Sequence, residues 1–247
     1  MQEVIDKHYT RLADNYDEFL FYSPDFVRSL TSMMIEKLEL HEDDTLVDLG
    51  CGTGIYSLDI LKQVPLKNRI LGVDPYEQML SQIPPDAPIT RLAEDALTFA
   101  EREGKYQKIL IKETIHHIDD RQRLLSNQHA RLADEGILLL VHVPPAVKYP
   151  LFPAALARCL TWHANPDELV LHLEAAGFQV ERDALQFSHA IPKDHYVKMV
   201  QHCYMSVLTS FTPDELQAGI AEMKEIHADQ DVLEFVDHFD FITARKV

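Results

Sequence analysis

The chain has 247 residues, 46% of them hydrophobic and 26% charged, enough apolar material for one domain or one domain with a cap. Its net charge of −17 argues against a nucleic-acid partner, whose phosphates such a surface repels, and no apolar run reaches the roughly 18 residues that a membrane-spanning helix needs. Three cysteines without a CxxC pair, Cys51, Cys159 and Cys203, form neither a disulfide framework nor a zinc site and suit a reducing cytoplasm.

The N-terminal stretch MQEVIDKHYTRLADNYDEF is acidic and amphipathic and lacks the apolar core of a secretory signal. Leu12, Tyr16, Phe19 and Leu20 recur at helical spacing, and a second helix is expected from Phe26 to Leu38. The period then changes. TLVDLG (45–50) reads as a short strand, followed by a glycine turn and a helix over 55–64. RILGVD (69–74), ITRLAED (89–95), YQKILIKE (106–113) and ILLLVHV (137–143) read as further strands. Helices are expected over 75–83 and 120–134, the latter stopped by Gly136. Strands alternating with helices imply right-handed crossovers and a doubly wound, mostly parallel sheet. Ligands of such sheets bind at the carboxyl ends of the strands.

After Val143 the pattern shifts. PPAVKYPLFP (144–153) is too proline-rich for a regular helix. Helices are expected over 154–176, 195–208 and 212–228, one or two strands after Gly177, and a closing strand FDFITARKV (239–247), which would run antiparallel. The division is a helical lid (1–40), a ligand-binding core (41–145), a substrate cap interleaved with core elements (146–238) and a final core strand (239–247).

VDLGCGTG (47–54) ends one strand and opens a helix. Gly50, Gly52 and Gly54 let a ligand touch main chain, and the helix start adds free amides and a positive dipole end. The spacing is GxGxG, not the dinucleotide GxGxxG, and no lysine follows to make a phosphate loop. Asp74 ends the next strand, 24 residues after Gly50, a spacing that suits a carboxylate on ribose hydroxyls. Each acid also has a plain alternative as a turn or helix cap: Asp48, Asp74 and Asp95 all precede such a start.

VDLGCGTG, LGVDPYEQML, AEDALTF and IKETIHHI together resemble the class I S-adenosylmethionine-dependent methyltransferases, most closely the small-molecule branch with the ubiquinone and trans-aconitate enzymes. The resemblance covers about residues 8–145 and implies a Rossmann-like sheet. It implies that Gly50, Gly52 and Gly54 line the donor, with Asp48 near its amino group and Asp74 on both ribose hydroxyls. Pro75 and Tyr76 would flank adenine beside Met79 and Leu80. Asp95 and Ala96 would meet the adenine amino group, and Glu113 to His116 would line the methyl end. Tyr9 and Tyr16 match tyrosines that close over the donor, although their spacing also suits packing of an amphipathic helix.

Methyl transfer from a sulfonium is an in-line displacement, so positioning dominates, and a base is needed only where the acceptor carries a mobile proton. Among 13 histidines, His117 is expected to line the pocket and His195 to serve as a base, with His116 and His189 on the substrate side and His142 in packing. Tyr149, Trp162, Tyr196 and Tyr204, with Phe152 and Phe187, give the cap an aromatic character suited to a small molecule. No pair of histidines shows a local metal-ligand spacing, so no metal is expected. A three-thiol arsenite site would need loop movement. The competing readings are a catalytically silent relative acting as a partner subunit, a nucleotide-cofactor oxidoreductase and a macromolecular methyltransferase. A monomer or homodimer is expected.

Overall fold

A computed structural model describes residues 23–247. Helix α1 (Pro24–Leu38) starts at Ser23, whose hydroxyl accepts from Phe26 N, and ends at Glu39 in a left-handed conformation. Phe26, Leu30, Met34 and Leu38 recur every fourth residue and are all buried, the stripe that fixes α1 to the sheet. The core follows as β1 (Leu46–Leu49), α2 (Ile55–Gln63), β2 (Ile70–Asp74), α3 (Glu77–Leu80), β3 (Ile89–Ala93), α4 (Ala96–Glu101), β4 (Tyr106–Lys112), α5 (Arg121–Arg131) and β5 (Leu132–His142). The rest is α6 (Pro153–Trp162), α7 (Pro166–Ala175), β6 (Phe178–Pro192), α8 (Lys193–Gln201), α9 (Pro213–Ile226) and β7 (Val232–Lys246).

The seven strands form one sheet in the order β3-β2-β1-β4-β5-β7-β6. The β1–β2, β1–β4, β2–β3 and β4–β5 pairs are parallel, whereas β7 runs antiparallel to both β5 and β6. This is the expected doubly wound, mostly parallel sheet with an antiparallel C-terminal strand. Alternation along β5 builds two cores: Ile137, Leu139 and Val141 enter one face, Leu138 and Leu140 the other. A strand apolar at every position is what burial on both faces requires.

Two expectations are corrected. The helix expected over 120–134 ends at Arg131, and the chain enters β5 at Leu132, opposite Tyr106, with a register shift before Ile137 pairs with Lys108. The closing strand begins at Val232, not at residue 239, and pairs with β6 from Phe178↔Lys246 to Pro192↔Val232. Within residues 146–238, Ala164, Leu169, Leu173 and Phe178 pack in the second core.

Strand β5 pairs with β7 only from Arg245 to Asp240. The preceding part of β7 and its β6 partner therefore overhang the sheet as a two-stranded ribbon. Among the described residues, no helix is long and apolar enough to cross a membrane.

Candidate active site

A cavity of about 470 Å³ opens over the carboxyl ends of β1, β2 and β4, with the ribbon and the segments around α8 closing its far side. Its first wall is the glycine turn. Gly50, Gly52 and Gly54 have φ of +82°, +55° and +75°, a region open to glycine at little cost. Gly50 N and Cys51 N donate to Val73 O at 2.7 and 3.1 Å, tying the turn to β2. A Cβ at Gly50 would overlap Thr114. At Gly52 it would meet only the end of Met79, at 3.3 Å. Gly54 does not line the cavity: it stands at the start of α2, and a Cβ there would meet Ile83 at 2.9 Å.

Two buried carboxylates sit behind this turn. Asp74 accepts from Gly52 N and Tyr76 N, both at 2.9 Å. Asp48 accepts from Ser57 Oγ at 2.6 Å. Burial pushes each carboxyl up to about 6; for Asp48 the Asp74 charge adds to this, while the hydrogen bonds oppose it. Asp95 caps α4 by accepting from Leu97 N at 3.1 Å and Thr98 N at 3.0 Å, so its capping reading holds while it also lines the cavity. Pro75, Tyr76, Met79 and Ala96 lie along the same wall.

At the end of β4 the cavity becomes imidazole-rich. Glu113 has φ +51°, a conformation costly for a residue with a side chain. It is held there by donation to Val141 O at 2.8 Å and by accepting from Val143 N at 2.6 Å. His116 and His117 follow in a single 3₁₀ turn, their ring centroids 4.0 Å apart. His163, at the end of α6, stands 5.5 Å from His116. Burial holds all three imidazoles below their ordinary range, His117 at about 4, so they are neutral at pH 7. Lys112 lies over the Tyr56 ring at 4.4 Å, and burial lowers its pKa.

The ribbon supplies the far wall. His189 and Phe235 are paired across β6 and β7 and stack at 5.0 Å, and His189 Nε2 meets Asp237 Oδ2 at 2.7 Å. Tyr204, which lines the cavity, shares a 2.8 Å hydrogen bond with Tyr196.

The fold thus brings Asp48, Gly50, Gly52, Asp74, Pro75, Asp95, Ala96, Glu113, His116, His117, Tyr149, His189 and Tyr204 to one cavity. His195, Tyr196 and Trp162 do not line it. Tyr196 is completely buried, its hydroxyl bonded to that of Tyr204 and its ring edge-on to the Tyr204 ring at 5.7 Å. The adjacent His195 lies on α8 outside the cavity wall, and Trp162 Nε1 donates to Ser206 Oγ at 3.1 Å. Tyr9 and Tyr16 lie outside the described residues. Of the three cysteines only Cys51 lines the cavity, and all three are free thiols. Sequence reasoning missed Lys112, His163 and Asp237. The expectation of no metal site rested on local spacing, yet the fold gathers Glu113, His116 and His163, one potential ligand atom of each lying within 4.8 Å of the others.

Residues 8–211 match a family model described as "Methyltransferase domain". A curated relative, the malonyl-[acyl-carrier protein] O-methyltransferase of Bacillus cereus, is 28% identical over 143 residues, covering 55% of this chain and 51% of the relative. A second with the same activity in its name, from Ilyobacter polytropus, is 26% identical over 52% of this chain and 47% of its own length. The chain thus spans about half the length of the curated relatives it matches. Among solved structures, the cyclopropane synthase MmaA2 of Mycobacterium tuberculosis superposes with a TM-score of 0.64 at 15% identity, covering 98% of this chain and 97% of that one. The Haemonchus contortus phosphoethanolamine N-methyltransferase 2, solved with phosphomonomethylethanolamine and S-adenosylhomocysteine, gives 0.62 at 16% identity, over 96% of this chain and 57% of that one. These likenesses are of fold. The family match, reaching from the N-terminal stretch past the ends of all five parallel core strands, makes this chain a member of the methyltransferase-domain family.

Proposed function

We propose that this chain is an S-adenosylmethionine-dependent methyltransferase acting on a small molecule. The observation that carries the reading is the meeting of bare main chain at Gly50 and Gly52 with the Asp74 carboxylate on one cavity wall. The residues fit such a donor. Beside Gly52 only the flexible end of Met79 stands near the space that a Cβ would take, and two carboxylates, Asp48 and Asp74, line the same cavity. The family match and the S-adenosylhomocysteine in the Haemonchus structure agree with this donor.

Asp74 would accept from both ribose hydroxyls, exchanging its present main-chain partners for them. Pro75, Tyr76 and Met79 would flank the adenine, Asp95 and Ala96 would meet its edge, and Asp48 would face the amino-acid portion. S-adenosylmethionine, when bound, supplies an activated methyl on a sulfonium. Aromatic faces in the same cavity, Tyr56 and Tyr149, favour a cation nearby. The chain's main contribution is to hold an acceptor in line and exclude water. Glu113, His116 and His117 would line the methyl end. His117, its pKa held at about 4 by burial, is a weak base that would take a proton only in step with methyl transfer from an acceptor that carries one. His189, oriented by Asp237, would do the same from the ribbon, in the role expected of His195. Tyr149 and Tyr204 would contact the acceptor.

Both curated relatives are named as O-methyltransferases, so oxygen acceptors head the search. The negative charge disfavours nucleic acid as substrate, the three free thiols suit a cytoplasmic setting, and a monomer or homodimer suffices because the cavity is built within one chain. The test is incubation with methyl-labelled donor and a fractionated metabolite pool. Label in one small product supports the reading. Donor binding without transfer to any fraction favours a silent partner subunit instead.

A further inference from the structure

We propose that Glu113, His116 and His163 form a binding site for one divalent first-row transition-metal ion, set in the wall of the cavity. Four observations converge on it. One ligand atom from each residue lies within 4.8 Å of the other two, so small side-chain rotations bring all three onto an ion with bonds of about 2.0–2.2 Å. His116 Nδ1 and both ring nitrogens of His163 are buried without a hydrogen-bond partner among the described residues. Buried polar atoms are ordinarily satisfied, and such orphans call for a partner. Glu113 is held in a left-handed conformation that a glutamate otherwise avoids, with Val143 N donating to only one of its carboxylate oxygens. All three residues line the cavity, so an ion there would keep open coordination positions facing the space.

The donor set selects the class of ion. Two neutral imidazoles and a carboxylate suit zinc, iron(II), cobalt or manganese, whereas calcium and magnesium prefer all-oxygen shells. Three protein ligands with positions left open is the pattern of a site that also binds an exogenous group. That group would be an oxygen of the methyl acceptor, anchored beside the donor's methyl end. This last role rests on the methyltransferase reading; the metal site itself does not. The grouping escapes a search by local spacing because His163 stands 47 residues beyond His116 and arrives on the end of α6.

Cobalt(II) titration of the chelator-treated full chain, followed by its visible ligand-field bands, tests the proposal. It predicts one cobalt per chain, displaced by zinc and not by magnesium. His116→Gln and His163→Gln should each weaken binding at least about tenfold. His227→Gln, at the end of α9 and outside the cavity wall, should leave it unchanged. X-ray absorption on the cobalt-loaded wild type needs no variant and should read two imidazoles. Absence of the bands, bands that survive both variants, or fewer than two imidazoles would overturn the site. Donor affinity measured on the metal-free chain reads the methyltransferase proposal separately.

Discussion

Asp74 and Gly52 are joined by a 2.9 Å hydrogen bond from the Gly52 amide to the Asp74 carboxylate, which ties the tip of β2 to the turn that follows β1. A buried acid and a bare stretch of main chain are thereby held together before any ligand arrives. Asp74→Ala should weaken binding of S-adenosylmethionine by about 1–3 kcal/mol, the scale of a charge-assisted hydrogen bond. Because burial holds the Asp74 carboxyl at about 6, wild-type affinity should fall as pH drops below that value, and the variant's should not. Calorimetric titrations across pH check both; equal pH dependence in the two proteins would refute the ribose role.

Asp48 predicts a pH-dependent stability. Its carboxyl stands at about 6 in the folded chain against 3.8 in a model peptide, with burial the main cause. Between those values the folded state binds more protons than the unfolded one, so stability falls as pH rises through the window and remains reduced above it. Asp48→Asn removes the buried charge. It should be more stable than wild type at pH 7.5, by roughly 1–3 kcal/mol, and the gain should vanish near pH 4. Urea unfolding at the two pH values measures this. A difference that is the same at both would contradict the assignment.

The glycine turn was legible in the sequence because its signal is local: three glycines in five residues on an apolar strand, and an acid ending the next strand. The sheet was legible for the same reason, since strands such as Ile137–Val141 are apolar throughout. The far wall was not. Leu233, Phe235, Asp237 and Phe239 alternate as a strand should, but the polar run around them reads as a loop until β6 pairs with it. His163 and Lys112 join the site only through the fold, and nothing in the residue identities announces the left-handed backbone of Glu113.

Gly50 and Gly52 should respond differently to alanine. At Gly50 the new Cβ meets Thr114 at a φ of +82°, so overlap and backbone strain add to a loss of about 2–4 kcal/mol. At Gly52 the nearest atom is the flexible end of Met79, and the loss should be smaller by at least about 1 kcal/mol. Denaturant midpoints of the two variants rank them, and the reverse order would show that the turn is not held as described.

Asp237 holds His189 from the β7 side of the ribbon at 2.7 Å. Asp237→Asn should lower turnover of an acceptor that loses a proton by at least about tenfold, while leaving donor affinity within about twofold. Parallel measurement of turnover and of S-adenosylhomocysteine binding separates the two effects. Equal losses in both would move the pair from the acceptor side to the donor side.

Calorimetric titration of S-adenosylmethionine into the wild-type chain at pH 7.5 reads the main-chain cradle most simply. The account predicts saturable binding of one molecule per chain, displaced by S-adenosylhomocysteine and not by NAD. Absence of heat and of any thermal stabilisation at saturating ligand would contradict it.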